Sequence, residues 1–133
     1  MFGNKCEQAK DLHERGHNCA QAVALPFSED LGMDPQTVMR AMEGFGAGMG
    51  GREQTCGALS GAIFVAGLRH SDGHLWAPAS KQQTYAICKA LCDEFTAACG
   101  GTAVCAAIKN AGCVSCQKCI ELGVSLALKA LEQ

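Results

Sequence analysis

Apolar positions recur every three or four residues along most of this chain, and no stretch alternates with the β-branched bias of a strand. That periodicity predicts helices almost throughout. Asn4 is placed to cap a first helix running to about residue 15, with Gly16 as its stop. Asn18 precedes a second helix, from Cys19 to about residue 31, which Pro26 must kink or restart. Asp34-Pro35 is a cap followed by proline at the first helical position. The third helix carries Val38, Met39 and Met42 on its apolar side and ends near Gly44.

Five glycines then fall within the eight residues 44–51. After them, Thr55 is placed to cap a helix from Cys56 to about residue 68. Within it Gly57, Ala58, Gly61 and Ala62 recur at helical spacing, which permits close approach of another helix. A surface loop over 69–78 leads to a long amphipathic helix over about 79–98, closed by Gly100-Gly101. Thr102 opens a short helix to about residue 109, and Ser115 caps the last one. The expectation is an all-α, single-domain compact bundle of about six helices, with a glycine-rich loop before the central helix and one cysteine-rich domain over 1–133.

Composition narrows the class. A chain of 133 residues can bury enough surface to hold a core without staples. With 48% hydrophobic and 18% charged residues it is not a disordered chain. A net charge of −2, one Trp and one Tyr give nucleic acid neither a basic face nor a stacking platform. The start, to Asp11, is polar and charged, and the longest apolar run, 56–68, is too short to span a bilayer. The reading is a soluble cytoplasmic protein with no nucleic-acid or membrane partner.

Ten cysteines change the picture: 6, 19, 56, 88, 92, 99, 105, 113, 116 and 119. Without a secretory segment, they point to reduced thiols used for metal binding or redox work rather than to a disulfide framework. Cys19, Cys56 and Cys116 each follow a predicted helix cap, where unpaired amides and the positive end of the helix dipole stabilise a thiolate. The backbones of Gly48, Gly50 and Gly51 could form an anion-binding concavity beside Cys56. A nucleotide cradle fits worse, because the glycines follow a helix and no Gly-Lys-Ser/Thr follows them.

Cys113, Cys116 and Cys119 form C-x2-C-x2-C, the spacing that opens bacterial ferredoxin runs, without the C-x3-C-P that completes them. Cys88, Cys92 and Cys99 line one face of the long helix and read first as core. Cys6 reads as incidental, and His13 and His17 do not make a zinc pair because Gly16 interrupts their helix. His70 and His74 read as solvated loop residues, and Glu53 as a residue that could perturb Cys56.

Three segments resemble the family of redox-active proteins named for a C…GCAxxG…C…C pattern. They are Gly16-His17-Asn18-Cys19-Ala20-Gln21-Ala22-Val23; Gly44-Phe45-Gly46-Ala47-Gly48-Met49-Gly50 with Cys56-Gly57-Ala58-Leu59-Ser60-Gly61; and Gly101-Thr102-Ala103-Val104-Cys105. The resemblance covers nearly the whole chain. It implies four characteristic cysteines at Cys19, Cys56, Cys105 and one of the last trio, preferably Cys116, with Cys119 as runner-up. The short gap from Cys105 to Cys116 and the extra cysteines depart from the family pattern.

The leading functional expectation is an iron–sulfur cluster of unspecified type held by those four cysteines, for electron transfer or redox sensing with an unidentified partner protein. The alternatives are a metal-free thiol–disulfide redox protein with Cys56 as reactive thiolate, a structural zinc protein, and a Cu(I) carrier using Cys88, Cys92 and Cys99. An apolar, glycine-rich helical surface is compatible with a homodimer.

Overall fold

The computed structural model describes residues 4–112 and 114–133. The part expected of Cys113 therefore lies outside the described residues. Among those residues there are seven helices and no strand: α1 (Lys5–Glu14), α2 (Cys19–Ala24), α3 (Pro35–Met42), α4 (Gly57–His70), α5 (Lys81–Ala98), α6 (Cys105–Ala111) and α7 (Cys116–Glu132). The fold is all-α as the periodicity predicts, with seven helices where about six were expected. None is long and apolar enough to cross a membrane.

The α4 helix is the centre. It packs against α7, α2 and α5, and its Ala58, Leu59, Ala62, Val65 and Ala66 are buried. Small residues set how close the neighbours come. A Cβ on Gly61 would sit 2.9 Å from the Ala20 carbonyl oxygen on α2. One on Gly123 of α7 would sit 2.7 Å from the Ala58 carbonyl oxygen. Helices α2, α4 and α7 therefore meet backbone to backbone, and Phe27, Phe95, Ile120 and Leu126 fill the core around them.

Gly67 is the contrasting case. It lies in α4, yet a Cβ there would meet nothing within 4 Å. Gly67→Ala is expected to raise stability by about 0.5–1 kcal/mol, since it restricts the unfolded chain at no steric cost. A denaturant midpoint that falls instead would show that the α4 backbone is crowded there.

Several boundaries differ from the sequence expectation, each for a local reason. The second helix ends at Ala24 and continues only as the 3-10 turn Leu25–Phe27, because Pro26 has no N–H to donate. Cys56, not Thr55, occupies the cap position of α4, and Thr55 instead forms an antiparallel bridge with Val104. The short helix starts at Cys105 rather than Thr102, whose hydroxyl accepts from the Val104 N–H in a turn. Asn4 stands at the cap of α1 but makes no side-chain cap bond. His70 is not a loop residue: it ends α4, and its Nε2 lies 2.7 Å from the Ala130 carbonyl oxygen. Lys5 is buried, donating to the Pro26 carbonyl at 2.7 Å and pairing with Asp30 at 2.7 Å, which ties α1 to the 3-10 turn.

Candidate functional site

Four helices begin at one place, and each brings a cysteine. Cys19 is the first residue of α2, behind a capping box in which Asn18 accepts from the Gln21 N–H at 2.9 Å and Gln21 accepts from the Asn18 N–H at 3.0 Å. Cys56 caps α4, and Cys105 opens α6. Cys116 opens α7 behind Ser115, whose hydroxyl accepts from the Lys118 N–H at 3.1 Å. All four line a cavity of about 180 Å³, together with Cys119 one turn into α7. His13, Asn18, Ile108, Lys109 and Val114 complete most of its wall.

Cys56 and Cys105 are fixed relative to each other by main-chain bonds rather than by their helices. The Cys56 N–H donates to the Ala103 carbonyl at 2.7 Å, and the Cys105 N–H donates to the Gln54 carbonyl at 2.9 Å. The Ala106 N–H adds a bond of 2.8 Å to the Arg52 carbonyl. Val104 has no capping side chain to offer α6, so carbonyls from the loop before Cys56 satisfy its first amides instead.

The glycine-rich loop is left-handed through four consecutive residues, Ala47, Gly48, Met49 and Gly50, with φ of 51, 58, 63 and 88°. Arg52 follows at 66°. A left-handed conformation costs a non-glycine residue about 1–2 kcal/mol, so Ala47, Met49 and Arg52 hold stored strain. Gly48 is where the loop meets the site. It is buried, and a Cβ there would lie 2.6 Å from the Cys105 Cβ. Gly50 and Gly51 are exposed, with open space around them.

The sulfurs act on one another. The Cys119 thiol hydrogen-bonds Cys56 and, with the amides of Ala58 and Leu59 and the charge of Lys109, draws Cys56 down to about 7 against the opposing effect of burial. Cys119 is in turn pushed well above an ordinary thiol, first by that hydrogen bond and then by burial. Burial pushes Cys19 up to about 12, helped by the neighbouring Cys56, Cys116 and Cys105. Cys105 is raised by burial and by Cys56, with Lys109 and Arg52 opposing. Cys99, buried just past the end of α5, also shares a hydrogen bond with Cys119 and is raised by burial.

A pH profile follows from the Cys56 shift. In reduced, metal-free protein, alkylation of Cys56 is expected to rise with pH and reach half its maximum near pH 7, because only the thiolate reacts. Cys19 stays protonated, and so unreactive, until far more alkaline solution. Mass spectrometry after short iodoacetamide pulses reads this directly. A Cys56 that stays unmodified up to pH 9 would contradict it.

The four cysteines named from the sequence all reach the cavity, and Cys119, the runner-up, reaches it too. Cys6, Cys88 and Cys92 are absent from its wall; Cys92 lines an apolar groove instead. Glu53 is exposed and stands outside the cavity wall. Sequence reasoning missed His13, Asn18 and Lys109 as wall residues. The signal for Lys109 was its place four residues after Cys105 on one helix, which puts both on the same face. Cys99 carried no such signal, since its approach to Cys119 joins two distant helices. Among the described residues, no three His, Cys, Asp or Glu side chains converge tightly enough to hold one metal ion.

A family model described as "Putative redox-active protein (C_GCAxxG_C_C)" matches residues 17–131. No curated protein and no solved structure gives a match.

Proposed function

The chain belongs to the C_GCAxxG_C_C family of redox-active proteins, and we propose that it is a redox protein holding an iron–sulfur cluster through Cys19, Cys56, Cys105 and Cys116, for electron transfer or redox sensing. The observation that carries this reading is the meeting of four helix starts, each bearing a cysteine, around one cavity of about 180 Å³. Thiolates are the donors that iron–sulfur clusters take, and zinc and Cu(I) take them as well. The cavity that the cysteines line offers room for a cluster of several atoms as well as for a single ion.

Charge favours a metal-containing centre over free thiols. Burial and mutual repulsion keep Cys19 and Cys105 protonated on their own, so four thiolates can share this cavity only beside a compensating cation. When bound, the cluster would supply both the positive charge of its irons and a one-electron couple. The chain contributes the positive ends of four helices and Lys109 as fixed charge near the sulfurs. Ile108, Val114 and Ala47 give the wall an apolar lining that limits water.

Anaerobic purification, with a visible spectrum and assays of iron and acid-labile sulfide, tests the proposal. Iron and sulfide in comparable amounts, with charge-transfer absorbance, are expected. Colourless, metal-free protein with all thiols reduced would overturn it and favour a thiol–disulfide redox protein. The hydrogen-bonded pair of Cys56 and Cys119 is the observation behind that second reading. There the Cys56 thiolate would attack a substrate disulfide, and Cys119 would displace the mixed disulfide. One substrate dithiol and one Cys56–Cys119 disulfide would result.

A further inference from the structure

Five cysteines reach the cavity, one more than a centre of four thiolates takes. The extra one, Cys119, differs from the others in its place. It is not at a helix start but one turn into α7, where its N–H donates to the Ser115 carbonyl at 3.0 Å. It is 3% exposed, and its thiol is hydrogen-bonded on two sides, to Cys56 at the cavity and to Cys99. Cys99 is 1% exposed and forms no part of the cavity wall. Its N–H, shared between the Phe95 and Thr96 carbonyls at 3.0 and 3.2 Å, holds it at the end of α5, one turn after the fully buried Phe95.

These hydrogen bonds have a direction. A thiol carries one proton, and a ligating sulfur carries none. As a ligand Cys56 can only accept, so the Cys119 proton points to it. The Cys119 sulfur is then left as an acceptor, and Cys99 is the thiol that can donate to it. The order runs Cys99 to Cys119 to Cys56, a buried row of sulfurs that ends on the cavity. Resting on the cluster reading above, we propose that Cys119 is a positioning residue that raises the reduction potential of the centre, its S–H donating to the Cys56 sulfur while Cys99 orients that donor from behind.

The physical reason is charge. One added electron makes the ligand sulfurs more negative, so a donor fixed against one of them stabilises the reduced form more than the oxidised form. An S–H group is a weak donor in water, but Cys119 is screened from water by its burial, where the low local dielectric strengthens the bond. No bond forms or breaks in the step. The electron comes from the external reductant, and the proton stays on Cys119 throughout. Packing gives a rival account of the same residues, because buried cysteine fills space as a small apolar side chain does. The two accounts part at the potential, which a mere space-filler would leave alone.

The experiment is a redox titration of the anaerobically purified full chain with dithionite, followed by visible absorbance, with iron and sulfide assayed on the same samples. Cys119→Ala is expected to keep its iron and sulfide while lowering the potential. A three- to tenfold change in the one-electron equilibrium is expected, roughly 30–60 mV. Cys119→Ser, whose hydroxyl still donates, is expected to hold the potential at or above the wild-type value. Cys99→Ala leaves the cavity wall unchanged and is expected to lower the potential by less. Added to Cys119→Ala it should change nothing further, since Cys99 acts only through Cys119. The sign of the shift separates this role from simple cavity formation, because water entering the space left by alanine would stabilise the reduced form and raise the potential. Equal potentials in all variants, or a fall in Cys119→Ala that Cys119→Ser shares in full, would overturn the proposal and leave the cluster reading intact. So would loss of iron from both Cys119 variants, which would make Cys119 a ligand. Wild-type protein without iron and sulfide would overturn the cluster reading, and this assignment with it.

Discussion

Cys56→Ala is expected to abolish the visible absorbance and remove nearly all bound iron and sulfide from anaerobically purified protein. Cys56 is held in place from several directions: by its N–H bond to Ala103, by the start of α4, and by the Cys119 thiol. The side chain is small and only 5% exposed, so the alanine variant should fold, with unchanged helical circular dichroism. Cys88→Ala and Cys6→Ala, whose residues lie outside the cavity wall, are expected to keep the full complement of metal. Comparison of Cys116→Ala with Cys119→Ala then decides the fourth ligand. Cys116 opens α7 at the cavity, whereas Cys119 is already engaged with Cys56 and Cys99, so loss of metal in the first variant and its retention in the second is the expected pattern. Full metal content in Cys56→Ala would sink the assignment of that residue as a ligand.

The second large effect is on stability. Gly123→Val is expected to cost about 3 kcal/mol or more, a sizeable share of the total for a domain of this size. Even the first added carbon would stand 2.7 Å from the Ala58 carbonyl oxygen and 2.9 Å from Val23 Cγ2, and the branch carbons have still less room. Ala58 and Val23 belong to α4 and α2, both buried, so relief requires α7 to move away from the centre of the molecule. Because α7 begins at Cys116, that displacement would also disturb the cavity. A fall in melting temperature of roughly 10 °C or more is expected in thermal unfolding. An unchanged transition would mean that α4 and α7 do not meet backbone to backbone.

The helices were largely legible in the sequence because their signals are local. Apolar spacing, Asp34-Pro35, Ser115 and Gly100-Gly101 act within a turn or two, and the structure places element ends at or near them. The misplaced starts, at Cys56 and Cys105, have one common cause. There the cap is made by a distant strand of backbone, as Arg52 and Gln54 carbonyls meet the first amides of α6 and Ala103 meets Cys56. A sequence reading that looks for a capping side chain chooses Thr55 or Thr102 and misses a cap supplied across the fold.

The cysteines divide along the same line. Sequence by itself determined that the chain is helical and that its thiols are too many for packing alone, while the resemblance of its motifs to a known family implied Cys19, Cys56, Cys105 and one of the last trio, preferably Cys116, as the characteristic set. Each of these rests on residue type, local periodicity or a contiguous motif. Only the tertiary structure decided that four helix starts share one cavity, that Cys119 and Cys99 extend the thiol network behind Cys56, and that Lys109 stands beside it. Those facts depend on how closely α2, α4 and α7 approach, and that distance is set by side chains missing at Gly61 and Gly123 on helices far apart in sequence. A period of three or four residues says which face of a helix is buried, but not which other helix it will meet.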